Sequence, residues 1–156
     1  MLTLAEQDIQ LGAKADDKQN AIRMVAQKMV DAGLIEAPYV DGMLRRETQN
    51  STYLGNGIAI PHGTTDTREQ VKQTGVRVLH FADGVNWGDG QIAHVVIGIA
   101  ARSDEHLGIL RQLTRVLADD SVADYLKRCN STADLAKLLS GQKPTPTLLL
   151  DSSTIQ

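Results

Sequence analysis

The sequence predicts an α/β sandwich, a mixed and mostly parallel sheet with helices on both faces. Three observations carry this. An amphipathic stripe of Ala21, Ile22, Val25, Ala26, Met29 and Val30 marks an early helix. The run Val95-Val96-Ile97-Gly98-Ile99-Ala100-Ala101 is too short and too β-branched for a helix and reads as a strand buried on both faces. The elements order as two helices, three strands and three helices.

In chain order, residues 1–15 form a lead-in in which Leu2, Leu4, Ile9 and Leu11 suggest a brief extended segment. Asp16 or Asp17 offers the N-cap of the first helix, with Gln19 completing a capping box to Asp16, and Gly33 ends it. Pro38 fits the first turn of a second helix over 38–46, where Val40, Met43 and Leu44 pack inward. Arg45 and Arg46 fall in its last turn, where the helix dipole favours cations without any functional reason.

After a polar turn, Ile58 to Ile60 reads as a short strand stopped by Pro61, which cannot donate to a ladder and holds Ile60 extended. Residues 66–72 are a polar connection, and 76–81 a strand. Asp83-Gly84 and Gly88-Asp89-Gly90 read as turns bracketing a short segment at 85–87. Gly98 suggests close approach of a packed helix. Three helices follow, capped by Ser103 or Asp104, by Asp120 or Ser121, and by Ser131, the last ending at Gly141. Residues 1–141 make one domain, and 142–156, with Lys-Pro-Thr-Pro-Thr and an uncapped Leu148-Leu149-Leu150, read as a linker or tail.

Composition excludes several function classes. A net charge of −3, no Lys/Arg cluster and few aromatic residues argue against a nucleic-acid-binding face. The single cysteine, Cys129, excludes an internal disulfide and any CxxC site, and reads as core. No apolar run approaches the roughly 20 residues of a membrane span. An uncrosslinked, mildly acidic chain fits the cytoplasm, and no signal peptide is expected. His62, His80, His94 and His106 lack metal-ligand spacing, so neither metal nor cofactor is expected, and His80 and His94 read as structural. The phosphate-loop lysine and the G-x-S-x-G elbow are both absent.

In such sheets chemistry gathers at the carboxyl ends of strands. Two ends here carry polar groups, one at Pro61-His62 and one at Ala101, which leads through Arg102 into a helix whose first turn holds His106. By itself His62 reads equally as an ordinary loop histidine, and His106 as a polar residue at an exposed helix start. If the two strands run the same way, the histidines can meet over the sheet edge. With an arginine, Arg45 or Arg46, they suggest transfer of an anionic group, one imidazole acting as nucleophile.

The stretch Ser51-Thr52-Tyr53-Leu54-Gly55-Asn56-Gly57-Ile58-Ala59-Ile60-Pro61-His62-Gly63-Thr64 resembles the signature of the IIA components of the bacterial sugar phosphotransferase system, mannitol/fructose class. The resemblance spans about residues 3–141 and includes Met43-Leu44-Arg45-Arg46-Glu47 and the segment from Ile97 to Leu107. Gly63-Thr64-Thr65-Asp66-Thr67-Arg68 and Gly84-Val85-Asn86-Trp87-Gly88-Asp89-Gly90 look like the fructose branch, in which the IIA domain is commonly fused through a linker to others, among them one like HPr. The resemblance implies the mannitol-type IIA sandwich and a phosphoryl carrier. His62 would be phosphorylated on Nε2 by HPr or a fused HPr-like domain and would pass the group to a cysteine of the fructose IIB component. His106 and Arg46 match the residues expected to hold phosphoryl oxygens, which selects Arg46 over Arg45. A carrier that docks proteins predicts a shallow, apolar-rimmed depression around His62, with Leu54, Ile60 and Leu107 at the rim. The rival readings are a regulatory IIA-like module that signals to protein partners and, further off, a small hydrolase using both histidines.

Overall fold

A computed structural model describes residues 4–102 and 105–140, the side chain of His106 excepted. Five strands form one sheet, β1 (Ile9–Gln10), β2 (Tyr53–Gly55), β3 (Ile58–Ala59), β4 (Gly75–Gly88) and β5 (Gln91–Ala100), in the order β1-β4-β5-β3-β2. Helices α1 (Lys18–Asp31) and α2 (Pro38–Gln49) precede the signature, and α3 (Glu105–Leu117), α4 (Asp120–Arg128) and α5 (Thr132–Leu139) follow the sheet.

The expected mixed α/β sandwich is present, with a different balance of pairings. β1–β4 and β3–β5 are parallel, but β2–β3 and the long β4–β5 ladder are antiparallel. The reason is local. Asp89, at φ 55°, and Gly90, at φ 78°, close a tight hairpin between β4 and β5, and so short a link cannot make a parallel crossover. Asp83-Gly84 does not turn the chain. It lies inside β4, where the register shifts between His80 and Val85 and Gly84 takes φ 79°. The strand bends there, and Val85 and Trp87 join the same core as Leu79 and Phe81.

β5 divides two cores. Val95, Ile97 and Ile99 pack against Ile109 and Leu113 of α3, Leu126 of α4 and Leu135 of α5. Val96 and Ala100 face the cluster built by Ile22, Val25 and Met29 of α1 and Met43 of α2. The apolar run is therefore buried on both sides, as its composition requires. Gly98 lies under α1: a Cβ there would come within 2.7 Å of Met29 Sδ and 3.0 Å of Val25 Cγ2. Helix caps follow the expected chemistry with shifts of a residue. Asp17, not Asp16, accepts from the Asn20 N–H at 2.8 Å, so Gln19 closes no capping box. Asp119 caps α4, and Ser131 accepts from the Asp134 N–H at 3.2 Å. Helix α2 runs beyond residue 46 to Gln49. The expected caps Ser103 and Asp104, the stop at Gly141 and the segment 142–156 lie outside the described residues.

Candidate functional site

β3 and β5 run the same way, and their pairing of Ile58 with Val95 and Ala59 with Val96 continues as a parallel bridge between His62 and Ile99. Pro61 ends the regular ladder because it has no N–H, yet its carbonyl still accepts from the Ile99 N–H at 3.0 Å. His62 is thus delivered to the carboxyl edge of the sheet beside the end of β5, as the strand-end argument requires. His62 is only 8% exposed. Nδ1 lies 2.8 Å from the Ile60 carbonyl. A carbonyl only accepts, so Nδ1 carries the proton, and the neutral ring holds its lone pair at Nε2. Burial lowers the His62 pKa from its ordinary value; the Ile60 bond and Glu47 oppose this, while the charges of Arg46 and Arg68 reinforce it. The imidazole is held as a neutral base.

Tyr39, in the first turn of α2, fixes the loop after His62. Its hydroxyl donates to the Ile99 carbonyl at 3.1 Å and accepts from the Gly63 N–H at 2.9 Å. One buried phenol therefore joins β5, α2 and the histidine loop. Burial raises the Tyr39 pKa, so the hydroxyl keeps the proton it donates. A Cβ on Gly63 would lie 2.6 Å from Tyr39 Cε1 and 2.6 Å from Thr67 Oγ1, which is why glycine follows the histidine.

Arg46, in the last turn of α2, donates from Nη1 to the Asn50 carbonyl at 2.7 Å. Arg45 pairs with Asp66 at 3.5 Å, both side chains being exposed. Tyr39, Arg46, Gln49, His62, Thr64 and Arg68 help line a depression of about 350 Å³. Its lining is polar, which corrects the expected apolar rim. Ile60 is core at 7% exposure; Leu54 and Leu107 are exposed at 37% and 59%, but none of the three lines the depression. His106 lies in the first turn of α3, just past the end of β5, and its side chain is outside the described residues.

With this geometry in place, comparison with known proteins is decisive. Residues 3–142 match the family described as phosphoenolpyruvate-dependent sugar phosphotransferase system, EIIA 2. The chain belongs to this family. It is 59% identical over 155 residues to the multiphosphoryl transfer protein of Escherichia coli O157:H7, an alignment covering 99% of this chain and 41% of that relative. The chain thus spans about two fifths of the length of such relatives. The crystal structure of IIA mannitol from Escherichia coli superposes with a TM-score of 0.82 at 41% identity, covering 88% of this chain and 99% of that one. The complex of enzyme IIA mannitol with phosphorylated enzyme IIB mannitol, also from Escherichia coli, gives 0.85 at 40% identity over 91% of this chain and 100% of its counterpart.

In this IIA chain a buried carboxylate stabilises the helix end that presents Arg46. Glu47, 6% exposed, accepts from the Thr52 N–H at 3.1 Å and its hydroxyl at 2.5 Å, and from Trp87 Nε1 at 2.7 Å; Lys18 Nζ lies at 3.7 Å. Such a desolvated charge is tolerable because each oxygen is occupied by donors. The turn from α2 into β2 and the β4 hairpin are tied together through it. Residue patterning had not singled out Glu47, Tyr39 or Arg68 as parts of the site.

The remaining candidates are structural. His80 Nε2 donates to the Leu126 and Lys127 carbonyls, each at 3.0 Å, at the end of α4. His94 Nδ1 donates to the Phe81 carbonyl at 3.0 Å. Cys129 is buried at the end of α4, and burial raises its thiol pKa, away from nucleophilic use. The Arg102 guanidinium holds the carbonyls of Val71 at 3.1 Å and Lys72 at 2.6 Å. Among the described residues there is no cluster of His, Cys, Asp and Glu able to hold a metal, and no helix long and apolar enough to cross a membrane.

Proposed function

We propose that the chain is a phosphoryl carrier whose acceptor atom is His62 Nε2. The observation that carries this is the Nδ1–H bond to the Ile60 carbonyl, which aims a neutral imidazole lone pair from Nε2 at the carboxyl edge of the sheet, beside Arg46. Phosphoryl transfer asks little covalent chemistry of a protein beyond in-line placement and charge stabilisation. Nε2 attacks phosphorus while the P–N bond to a donor phosphohistidine breaks. The donor ring keeps that electron pair and leaves as neutral imidazole. The positive charge passes to the His62 ring, where Nδ1–H stays on Ile60. No proton has to be exchanged with water.

Arg46, and His106 from the start of α3, are assigned to hold the phosphoryl oxygens. The donor is HPr or a fused HPr-like domain, a reading supported by relatives named multiphosphoryl transfer proteins. The acceptor is a cysteine of a IIB component, supported by the solved complex of a 40% identical IIA with phosphorylated IIB. Fructose as the sugar rests on the branch-like segments Gly63 to Arg68 and Gly84 to Gly90. Residues 1–141 are then the IIA domain and 142–156 a linker, and the carrier works in the cytoplasm.

The test is incubation with phosphoenolpyruvate, the general phosphotransferase enzyme and HPr, read by intact mass. One acid-labile phosphoryl group, lost in His62→Ala, supports the carrier; no gain with active partners rejects it. Onward transfer to a fructose IIB cysteine separates a transport carrier from a signalling module.

A further inference from the structure

Arg46 and Arg68 line the His62 depression, Arg45 precedes Arg46 on α2, and the three differ in how they are held. Arg45 is neutralised by Asp66 at 3.5 Å, and Arg46 is tied to the Asn50 carbonyl at 2.7 Å. Arg68 belongs to the 3₁₀ turn Thr65–Gln70, whose start is fixed by the Thr67 hydroxyl donating to the Thr64 carbonyl at 2.8 Å. Its side chain is exposed and lines the depression with His62 and Arg46, and among the described residues no carboxylate or carbonyl holds its guanidinium. Its charge lowers the pKa of both the His62 ring and the Tyr39 hydroxyl, behind the larger effect of burial. A second cation beside Arg46 is electrostatically unfavourable until an anion enters between them. A phosphoryl group brings about −2 charge and three acceptor oxygens, more than one arginine fork satisfies.

We propose that Arg68 is a second phosphoryl-holding residue of this site, its guanidinium closing on the non-bridging oxygens of the group in flight between the donor and His62. This rests on the carrier reading above. The bonds made and broken are those already described, and Arg68 exchanges no proton. Because its fork is uncommitted beforehand, it can engage the group in the transition state and release it when the partner leaves, which suits a carrier that must give up what it accepts.

The experiment is rapid-quench transfer from phosphorylated HPr to the chain, with donor concentration and salt varied, for wild type, R68Q, R68K and R68A. The expected result for R68Q is a fall in kcat of about ten- to a hundredfold, less than for a buried oxyanion donor because Arg68 is exposed, with KM little changed. R68K recovers part of the rate, since it restores charge without the planar fork, and methylguanidinium rescues R68A. An unchanged kcat overturns the proposal. So does a rise in KM alone that shrinks as salt is raised, which would make Arg68 a docking charge for the partner. Melting midpoints equal to wild type show that the variants are folded. If wild type itself takes up no phosphoryl group, the carrier reading fails; if wild type transfers and R68Q matches it, only the role of Arg68 fails.

Discussion

Tyr39→Phe removes one oxygen from the buried phenol and leaves the ring in place. That oxygen serves two backbone groups, the Ile99 carbonyl at 3.1 Å and the Gly63 N–H at 2.9 Å. Each loses a partner in a site that is only partly open to water. The net loss of two such bonds is about 2 kcal/mol, between the mean worth of a hydrogen bond and the cost of a buried orphan. For a chain of this size that lowers the melting midpoint by about 4–8 °C. The functional loss follows from the same bonds. Gly63 follows the acceptor histidine directly, so freeing its N–H lets the ring drift from the line of attack. A displacement of about 1 Å can cost a hundredfold in such reactions, and a tenfold fall in the rate of phosphoryl uptake is expected for this partial release. Urea unfolding and rapid-quench uptake on the same preparation measure both. Stability within about 0.5 kcal/mol of wild type, together with an unchanged uptake rate, would refute the bridge as a positioning device.

Three further outcomes follow from the site. Because burial depresses the His62 pKa below the ordinary 6.5, the ring stays neutral as pH falls towards that value, so kcat/KM for uptake holds and then declines with a His62 midpoint below 6.5; a midpoint above it contradicts the account. By the same linkage, the unfolded chain takes up this proton first, so the His62 contribution to stability is intact above 6.5 and is lost as pH falls from there through the folded value, a slope that His62→Ala removes. Trp87→Phe deprives the buried Glu47 carboxylate of its donor at 2.7 Å and should cost about 3 kcal/mol in urea unfolding, most of it from the charge-assisted bond, so an effect below about 1 kcal/mol would show the Glu47 junction to be unimportant.

What the sequence showed was local. The stripe of α1, the doubly buried β5, the glycine beneath α1 and the proline stop before His62 all follow from periodicity and backbone chemistry within a few residues. What it hid depends on partners distant in the chain. Glu47 beside two arginines reads as a surface charge, because nothing nearby reveals that the Trp87 indole, 40 residues on, will occupy it. Tyr39 follows Pro38 at a helix start, and its role appears only once Ile99, 60 residues away, lies against it. Arg68 looked like part of a polar connection, yet the 3₁₀ turn brings it back to the histidine six positions earlier. Asp83-Gly84 suits a turn and a bulge equally, and the alternation of Leu79, Phe81, Val85 and Trp87 into one core favours the bulge. The polar lining arises because the chain after Pro61 folds back through threonines and charged residues, while Ile60 continues inward.

The most direct test of the account is ³¹P–¹⁵N correlation on the chain phosphorylated through HPr, with its histidines labelled in the imidazole ring. Phosphorus bonded to Nε2 of His62, with the Nδ1–H still present and hydrogen-bonded, is the predicted result. Phosphorus on Nδ1 of that ring, or on another histidine, would contradict it.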